Sequence, residues 1–183
     1  MVSYQLSRQS KHFEVIRYNH CMDLLKDIAA LLITNPTNIR YLTGFIGVAT
    51  EEREVFALLT QDQLFLFTNS LYLEAARKLS NPTNPTNNPI KCVEISRENP
   101  LSKKLAKISQ EEKIKRLGFE ENDLTVAEFL KLKKELRGIR LIPTKNRIED
   151  LRIIKRDDEI KNIRQAAKIT DECFDFILGK IRI

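Results

Sequence analysis

The sequence has few of the residues that most enzyme motifs require. Its 183 residues include only two histidines, three cysteines and five glycines. Five glycines leave little material for a loop that cradles phosphate groups, and no Walker loop or G-x-G-x-x-G pattern occurs. The H-E-x-x-H and G-x-S-x-G patterns are also absent. We therefore find no catalytic constellation that a local motif could identify.

The histidines and cysteines are too scattered to form a local site. His12 and His20 lie two turns apart on one predicted helix, which is too far along its axis to share a metal. Cys21, Cys92 and Cys173 are widely spaced, odd in number and without a C-x-x-C pair. This pattern indicates inert thiols in a reducing compartment rather than disulfides or a zinc site. We predict no catalytic and no metal-binding residue in this chain.

Long apolar runs are also missing. No stretch approaches the roughly 20 apolar residues that a membrane span needs. The first 15 residues lack the apolar core of a signal peptide. Together with the cysteine usage, these features predict a soluble, cytoplasmic protein that has no membrane partner.

Charge is plentiful but unevenly distributed. The net charge is +6; residues 1–90 carry 8 basic and 8 acidic side chains, and residues 91–183 carry 23 basic and 17 acidic. Because basic and acidic residues alternate along segments such as 155–168, we interpret them as solvated helix faces with i,i+4 pairing. We therefore predict no nucleic-acid partner, although a basic face can neutralise phosphates.

Three pairs of adjacent carboxylates are candidates for acid–base chemistry: Glu51 with Glu52, Glu120 with Glu121, and Asp157 with Asp158. Neighbouring side chains on a helix or strand point apart, so the members of each pair cannot act on one substrate group. We interpret all three pairs as surface charge.

Predicted strands and helices alternate along the chain. The first half is predicted to contain a helix over residues 10–28, a strand over 29–34, a helix over 36–43, a hairpin of strands over 54–60 and 63–68, and a helix over 71–79. After an Asn-Pro-Thr-rich loop at 81–89, the second half is predicted to contain a strand over 90–95, a helix over 101–112, a strand over 114–119, a helix over 125–137 and a strand over 140–143. Such alternation predicts an α/β fold, a mixed sheet flanked by helices on both faces.

Two predicted helices carry clear end signals. Asn35 followed by Pro36 suits an N-cap and a first helical residue, and Gly44 is a plausible terminator. Thr125 and Glu128 form a T-x-x-E capping box. Leu124 and Phe129 stand at the positions of a hydrophobic staple around that box.

The last part of the chain predicts a long amphipathic helix with Asp157 as its N-cap and an end near Gly179. Its apolar residues are Ile160, Ile163, Ala167, Phe174 and Ile177. Because only four residues follow Gly179, we expect this helix to lead into further sequence. We divide the chain into a domain of residues 1–145 and a linker with a first helix over 146–183.

Three stretches resemble the creatinase-type N-terminal domain of the Xaa-Pro aminopeptidase and prolidase family. Residues 30–47, ALLITNPTNIRYLTGFIG, resemble the strand, turn and Y-L-T-G-F signature found early in those enzymes. Residues 116–136, RLGFEENDLTVAEFLKLKKEL, are similar to a G-F-E strand end followed by a helix. The run 148–176, beginning IEDLRIIKRDDEIKNIRQAAKITD, resembles the junction that leads into the catalytic domain.

The resemblance implies a domain that does not hydrolyse anything by itself. In this family a pita-bread catalytic domain holds two divalent ions, usually manganese, cobalt or zinc, on two aspartates, one histidine and two glutamates. A bridging water then attacks the bond before proline. No residue here matches those positions, so the catalytic domain is missing from this sequence and the chain itself needs no cofactor.

The family's N-terminal domain contributes to dimer contacts and closes one side of the active-site cleft. The resemblance therefore implies three partners: the chain's own catalytic domain, a second subunit in a homodimer, and proline-containing peptides as substrates. Matching the Y-L-T-G-F motif gives Asn38, Tyr41 and Phe45 as candidates that face the cleft. The alternative is that Tyr41, Leu42 and Phe45, at helical spacing, simply belong to the core.

Two other functions stay open from the sequence. A stand-alone binding module of the same fold is one alternative, since relatives without hydrolytic activity serve as interaction platforms; the charge of +6 argues against basic histones as its partner. The N-terminal domain of a creatinase-like hydrolase is the other, and the residues that would separate it from a peptidase lie outside the matched stretches.

Overall fold

The computed structural model describes residues 23–47, 52–79 and 90–181. The predicted helix over residues 10–28 lies mostly outside this part of the chain, and so do His12, His20 and Cys21. The Asn-Pro-Thr-rich loop also lies outside the described residues.

The described residues contain six strands and six helices, which alternate except that β2 is followed directly by β3 and α5 by α6. The strands are β1 (Ala30–Ile33), β2 (Val55–Thr60), β3 (Leu64–Thr68), β4 (Ile90–Glu94), β5 (Arg116–Glu120) and β6 (Arg140–Thr144). The helices are α1 (Pro36–Thr43), α2 (Ser70–Leu79), α3 (Leu101–Glu111), α4 (Val126–Glu135), α5 (Arg147–Ile153) and α6 (Asp157–Leu178).

The six strands form one mixed sheet in the order β4-β3-β2-β1-β5-β6. β2 pairs antiparallel with β1 and β3, whereas the β3–β4, β1–β5 and β5–β6 pairs are parallel. Of these strands, only β2 therefore runs against the others. The carboxyl ends of β1 and β5 lie side by side, with Leu32 opposite Phe119 near the ends of the two strands.

Both faces of the sheet are covered. On one face, alternate residues of β1, β2, β3 and β5 pack against α3 and α4; Leu105, Leu117 and Leu132 belong to this core. Ala30 and Leu32 of β1 face this core. Leu31 and Ile33 point to the other face of the sheet and are 0% exposed, so that face is buried as well. α1 packs beside β2, and α2 beside β3 and β4. The predicted mixed sheet with helices on both faces is confirmed.

Helix α1 has the ends that its sequence predicts. The Asn35 side chain accepts hydrogen bonds from the backbone N–H groups of Thr37 (3.0 Å) and Asn38 (3.2 Å). Gly44 has φ 74°, the left-handed conformation that glycine adopts at least cost, and its N–H donates to the Arg40 carbonyl. The helix spans the predicted residues.

The capping box of α4 is also confirmed. Thr125 Oγ1 accepts from the Glu128 N–H at 3.3 Å, while the Glu128 carboxylate accepts from the Thr125 N–H at 2.9 Å. Phe119 of β5 packs on Phe129 with a ring-centroid distance of 5.4 Å, which holds the first turn of the helix to the sheet.

Two of the differences from the sequence predictions have a clear local cause. β5 begins at Arg116 rather than at residue 114, because Lys113 has φ 53° and the Ile114 N–H still donates to the Ser109 carbonyl at the end of α3. The N-cap of α6 is Arg156, not Asp157, which is the first helical residue. The Arg156 N–H donates to the Glu159 carboxylate at 2.9 Å, so Glu159 supplies the cap that Asp157 was expected to give.

The chain forms two compact units that divide between Ile148 and Glu149. The first contains the sheet and α1 to α4. The second contains most of α5 and all of α6, and a short turn separates these two helices. The sequence did not indicate that α5 is a separate helix.

Candidate functional site

Polar side chains converge where β1 and β5 end and β2 begins. β1 leads through Thr34 and Asn35 into α1, β5 ends at Glu120, and the segment before β2 supplies Arg53. We call this group the Glu120 network; its members are Thr34, Asn35, Asn38, Arg53, Glu120, Asp123 and Glu128.

Glu120 lies at the centre of this network and is 8% exposed. One carboxylate oxygen, Oε2, accepts from the backbone N–H groups of Thr34 at 2.7 Å and Asn35 at 2.8 Å. The other, Oε1, accepts from Asn38 Nδ2 at 2.6 Å. A buried carboxylate is costly unless donors satisfy it, and here the start of α1 supplies them. The expectation that Glu120 is surface charge is therefore wrong: it fixes α1 to the end of β5.

Asp123 continues the network in the turn after β5. Its carboxylate accepts from Thr34 Oγ1 at 2.6 Å and from Asn35 Nδ2 at 3.4 Å. Arg53 donates to Asp123 at 2.9 Å and holds both oxygens of Glu128, at 3.0 and 2.8 Å. One arginine therefore joins the segment before β2 to the β5–α4 turn and to the first turn of α4.

The ionisation of Arg53 and Glu128 reflects this pairing. Partial burial acts to raise the pKa of Glu128, but hydrogen bonds from Arg53 and from Thr125 outweigh it and hold that pKa below the usual value. Burial likewise acts to lower the pKa of Arg53, and the two carboxylates raise it instead. The pair is charged at neutral pH.

The three predicted cleft residues lie on α1 and on the turn that follows it. Asn38 is 0% exposed and belongs to the Glu120 network. Phe45 is 6% exposed, and a Cβ at Gly47 would lie 2.5 Å from its ring, so the backbone of the turn packs directly on Phe45. Tyr41 is partly exposed. The network thus brings one of the three candidates together with Glu120.

The network does not fit the two-metal centre that the resemblance implies for the whole enzyme. Within residues 23–47, 52–79 and 90–181, no group of three or more His, Cys, Asp or Glu side chains could hold a metal ion. The carboxylates of Glu120, Asp123 and Glu128 are already hydrogen-bonded to Asn38, Thr34 and Arg53, respectively. The network can hold α1, which carries Tyr41, in a fixed place at the carboxyl ends of β1 and β5.

In the part of the chain that the structure describes, no helix combines the length and the apolar content that crossing a membrane requires.

Fold and site together define a class: an α/β domain with a mixed six-stranded sheet, in which a polar network joins the start of α1 to the end of β5 and to α4. The profile of the creatinase/prolidase N-terminal domain family matches residues 23–154, well over half of the chain. The chain belongs to this family. The resemblance that the Y-L-T-G-F and G-F-E stretches indicated is confirmed.

Curated relatives support the same family. An uncharacterized peptidase of Bacillus subtilis, YqhT, is 34% identical over 152 residues, which cover 82% of this chain and 39% of the relative. An uncharacterized peptidase of Staphylococcus epidermidis is 31% identical over 157 residues, covering 85% and 40%. The chain spans about two fifths of the length of these peptidases.

Solved structures share the fold. An Xaa-Pro dipeptidase from Bacillus anthracis aligns with a TM-score of 0.74 at 28% identity, over 92% of this chain and 44% of that chain. An Xaa-Pro aminopeptidase structure from Streptococcus pyogenes aligns with a TM-score of 0.63 at 29% identity, over 77% of this chain and 98% of that one. The N-terminal domain of a Corynebacterium diphtheriae metallopeptidase aligns with a TM-score of 0.56 at 26% identity, over 73% of this chain and 97% of that chain.

Sequence reasoning missed Glu120, Asp123 and Arg53 as one group. A signal did exist: Glu120 directly follows the buried run Leu117–Phe119, where a surface charge is not expected. Nothing in the sequence connects this position with Asn38, which lies 82 residues earlier.

Proposed function

We propose that this chain is the non-catalytic N-terminal part of a metal-dependent Xaa-Pro aminopeptidase or dipeptidase. The observation that carries the proposal is the match of residues 23–154 to a domain family that peptidases share. The matched part of the chain covers about two fifths of its curated relatives. Residues 1–145 are the proposed N-terminal domain, and 146–183 the proposed linker and first helix of the catalytic domain. The two divalent ions would bind in that domain.

The proposed role of the domain is to shape the active-site cleft and to contribute to a homodimer. Asn38, Tyr41 and Phe45 are the proposed cleft residues. Tyr41 is partly exposed and can contact a peptide directly. Asn38 and Phe45 are buried, so they would act as positioning residues that fix α1 through Glu120 and through the turn at Gly47. A cytoplasmic location stays a prediction from the sequence.

The test compares two proteins: the 183-residue chain, and the longer protein encoded if the reading frame continues past Ile183. With Mn²⁺ and an Xaa-Pro peptide, we expect no cleavage by the 183-residue chain and cleavage by the longer protein. Measurable cleavage by the 183-residue chain would contradict the proposal. A reading frame that stops at Ile183 would favour the stand-alone binding module instead.

The cleft role needs its own variant. In the longer protein, Tyr41→Ala is expected to raise KM several-fold for an Xaa-Pro peptide, while Glu74→Ala, an exposed change on α2, leaves the kinetics unaltered. An unchanged KM in the Tyr41 variant would show that Tyr41 does not contact the substrate in the cleft. It would leave the assignment of the domain unaffected.

A further inference from the structure

Helix α1 is held differently at its two ends. At its last residue, Thr43 Oγ1 donates to the Ile39 carbonyl at 2.7 Å and accepts from the Phe45 N–H at 3.0 Å, so these contacts span at most four residues. At its start, hydrogen bonds reach β5 and the turn that follows it, 82 to 89 positions along the chain. The end of α1 is therefore shaped by its own sequence, whereas the polar contacts that tie it to β5 lie at its start.

Because α1 is short, a change at its start moves the whole helix. Tyr41 lies five residues after Pro36, which is roughly 7.5 Å along the helix axis at about 1.5 Å per residue. A tilt of about 10° at the start of the helix therefore displaces the Tyr41 backbone by roughly 1 Å. In an enzyme, misplacing a substrate-positioning group by about 1 Å can cost up to about a hundredfold in rate.

Asp123 fixes the residue that caps α1. Asn35 accepts at Oδ1 from the N–H groups of Thr37 and Asn38. The other end of the same amide, Nδ2, donates to Asp123 Oδ1 at 3.4 Å, and Thr34 Oγ1 donates to Asp123 Oδ2 at 2.6 Å. Since Nδ2 faces Asp123, Oδ1 of Asn35 is turned towards the N–H groups of the helix. Asp123 therefore holds the capping side chain in the orientation that starts α1.

Arg53 holds Asp123 in turn. Its Nη1 donates at 2.9 Å to Asp123 Oδ2, the oxygen that also accepts from Thr34. Its Nε and Nη2 donate to the two carboxylate oxygens of Glu128, at 3.0 and 2.8 Å. These three contacts keep the planar guanidinium in one orientation, so the position of Asp123 depends on Arg53. The Arg53 side chain is 33% exposed, so it can be replaced without opening a cavity in the core.

We propose that Arg53 and Asp123 are positioning residues for substrate binding. Arg53 fixes Asp123, Asp123 fixes the start of α1, and the helix that begins there carries Tyr41 to the cleft. This role rests on the proposed function, which supplies the cleft and the Xaa-Pro peptide. It assigns a part in peptide binding to two residues that lie outside α1 and outside the Y-L-T-G-F motif.

A purely structural role of Arg53 leads to a different kinetic result. Loss of stability lowers the fraction of folded enzyme, which lowers the apparent kcat and leaves KM unchanged. Displacement of Tyr41 weakens a contact that the substrate and the transition state share, which raises KM and leaves the kcat of the folded enzyme nearly unchanged. The two roles are therefore separated by whether KM or kcat changes.

The effect of Arg53 on α1 can be tested in the 183-residue chain alone. The amides of Thr37 and Asn38 donate to Asn35 Oδ1, so their hydrogen exchange reports how firmly the start of α1 is held. Arg53→Met should speed this exchange about threefold more than it speeds exchange of the Leu66 amide in β3, which serves as the internal reference for global unfolding. Equal acceleration at all three amides would reject the effect of Arg53 on α1.

Kinetics of the longer protein with an Xaa-Pro peptide test the effect on binding. Arg53→Met is expected to raise KM about threefold, with kcat within about twofold of the wild type, because it removes all three guanidinium contacts. Arg53→Lys keeps the charge but not the forked geometry and should give an intermediate KM. Lys78→Met removes an exposed charge pair with Glu74 on α2 and is the control, with KM unchanged.

A double-mutant cycle tests whether Arg53 and Asp123 act through Tyr41. In a Tyr41→Ala background, Arg53→Met should change KM by less than about 1.5-fold, because the side chain that it would misplace is already missing. Asp123→Ala should likewise raise KM in the wild-type background and leave it unchanged in the Tyr41→Ala background. Circular dichroism verifies that each variant is folded.

Failure of this role and failure of the proposed function give different results. If the reading frame stops at Ile183, or if the longer protein cleaves no Xaa-Pro peptide, the proposed function fails and the role of Arg53 fails with it. If the longer protein is active and Arg53→Met keeps the wild-type KM, only the positioning role is rejected. Multiplicative effects of Arg53→Met and Tyr41→Ala on KM would reject it as well, because Arg53 would then act independently of Tyr41.

Discussion

Glu120 and Glu121 are identical residues in adjacent positions with opposite environments. Glu120 is 8% exposed and accepts hydrogen bonds from two backbone N–H groups and the Asn38 amide. Glu121 is exposed. The difference arises because Glu120 lies at the end of β5, beside the start of α1. Backbone N–H groups at the start of a helix have no carbonyl partner within the helix, and here such groups donate to Glu120.

Replacing Glu120 is expected to destabilise the domain strongly. Glu120→Ala leaves two buried donors and one partly buried donor without their acceptor, so the free energy of unfolding should fall by about 3 kcal/mol or more. Glu121→Ala should change it by less than about 0.5 kcal/mol. Urea unfolding followed by circular dichroism measures both, and equal effects of the two changes would contradict the structural role of Glu120.

The three cleft candidates show, also at the residue scale, what a sequence motif can and cannot predict. The Y-L-T-G-F motif located α1 and its left-handed Gly44, both of which the structure contains. It could not show that Asn38 donates to a carboxylate 82 residues away. That contact depends on β1 and β5 being neighbours, which no local pattern encodes.

At the scale of elements, Arg53 joins parts of the chain that local signals describe separately. Thr125 and Glu128 form the capping box of α4. Glu128 also accepts a hydrogen bond from Arg53, which lies 75 residues earlier in the chain. A bidentate arginine–carboxylate pair holds its geometry better than an exposed lysine pair such as Lys78 with Glu74 at 3.9 Å. The start of α4 is therefore fixed both by its own sequence and by Arg53 in the segment before β2.

Removing the Arg53 charge is expected to alter stability and its dependence on pH. The pKa of folded Glu128 lies below its usual value, so its pairing stabilises the fold above about pH 4.5 and is lost as pH falls through the folded pKa. Arg53→Met should lower the free energy of unfolding by about 1 kcal/mol at pH 7, allowing for solvent screening of a partly exposed pair.

The acid side of the stability profile provides the check. The difference in the free energy of unfolding between the wild-type chain and Arg53→Met should become smaller as pH falls below 4.5, because the wild type then loses the ion pair that the variant lacks. Lys78→Met removes the exposed pair with Glu74 and serves as the control, with little change at any pH. A difference that stays constant from pH 7 to pH 3 would show that Arg53 acts through packing alone.

At the scale of the whole molecule, the chain divides into two compact units, and the family match ends at residue 154, close to that division. The first unit contains the cores on both sides of the sheet. Helix α6 in the second unit has no buried residue. Since burial of apolar area is the main source of folding free energy, α6 should add little to the stability of the first unit.

A chain that ends at Ile154 is therefore expected to fold. Its free energy of unfolding should lie within about 1 kcal/mol of that of the 183-residue chain, measured at a concentration where both are monomers. Urea titration gives the comparison, and size-exclusion chromatography verifies the monomeric state. A loss of several kcal/mol in the shorter chain would mean that α6 takes part in the fold of the first unit.

The sequence by itself determined the alternation of strands and helices, the caps of α1 and α4, the α/β class and the family. These follow from interactions between residues close in the chain: period-two and period-3.6 burial, an Asn-Pro start, a glycine end and a capping box. Only the tertiary structure decided the pairing of β1 with β5, the burial of Glu120 and the bridging role of Arg53. Each depends on contacts between residues 70 to 89 positions apart, and a buried charge becomes favourable only when the fold brings its donors to it.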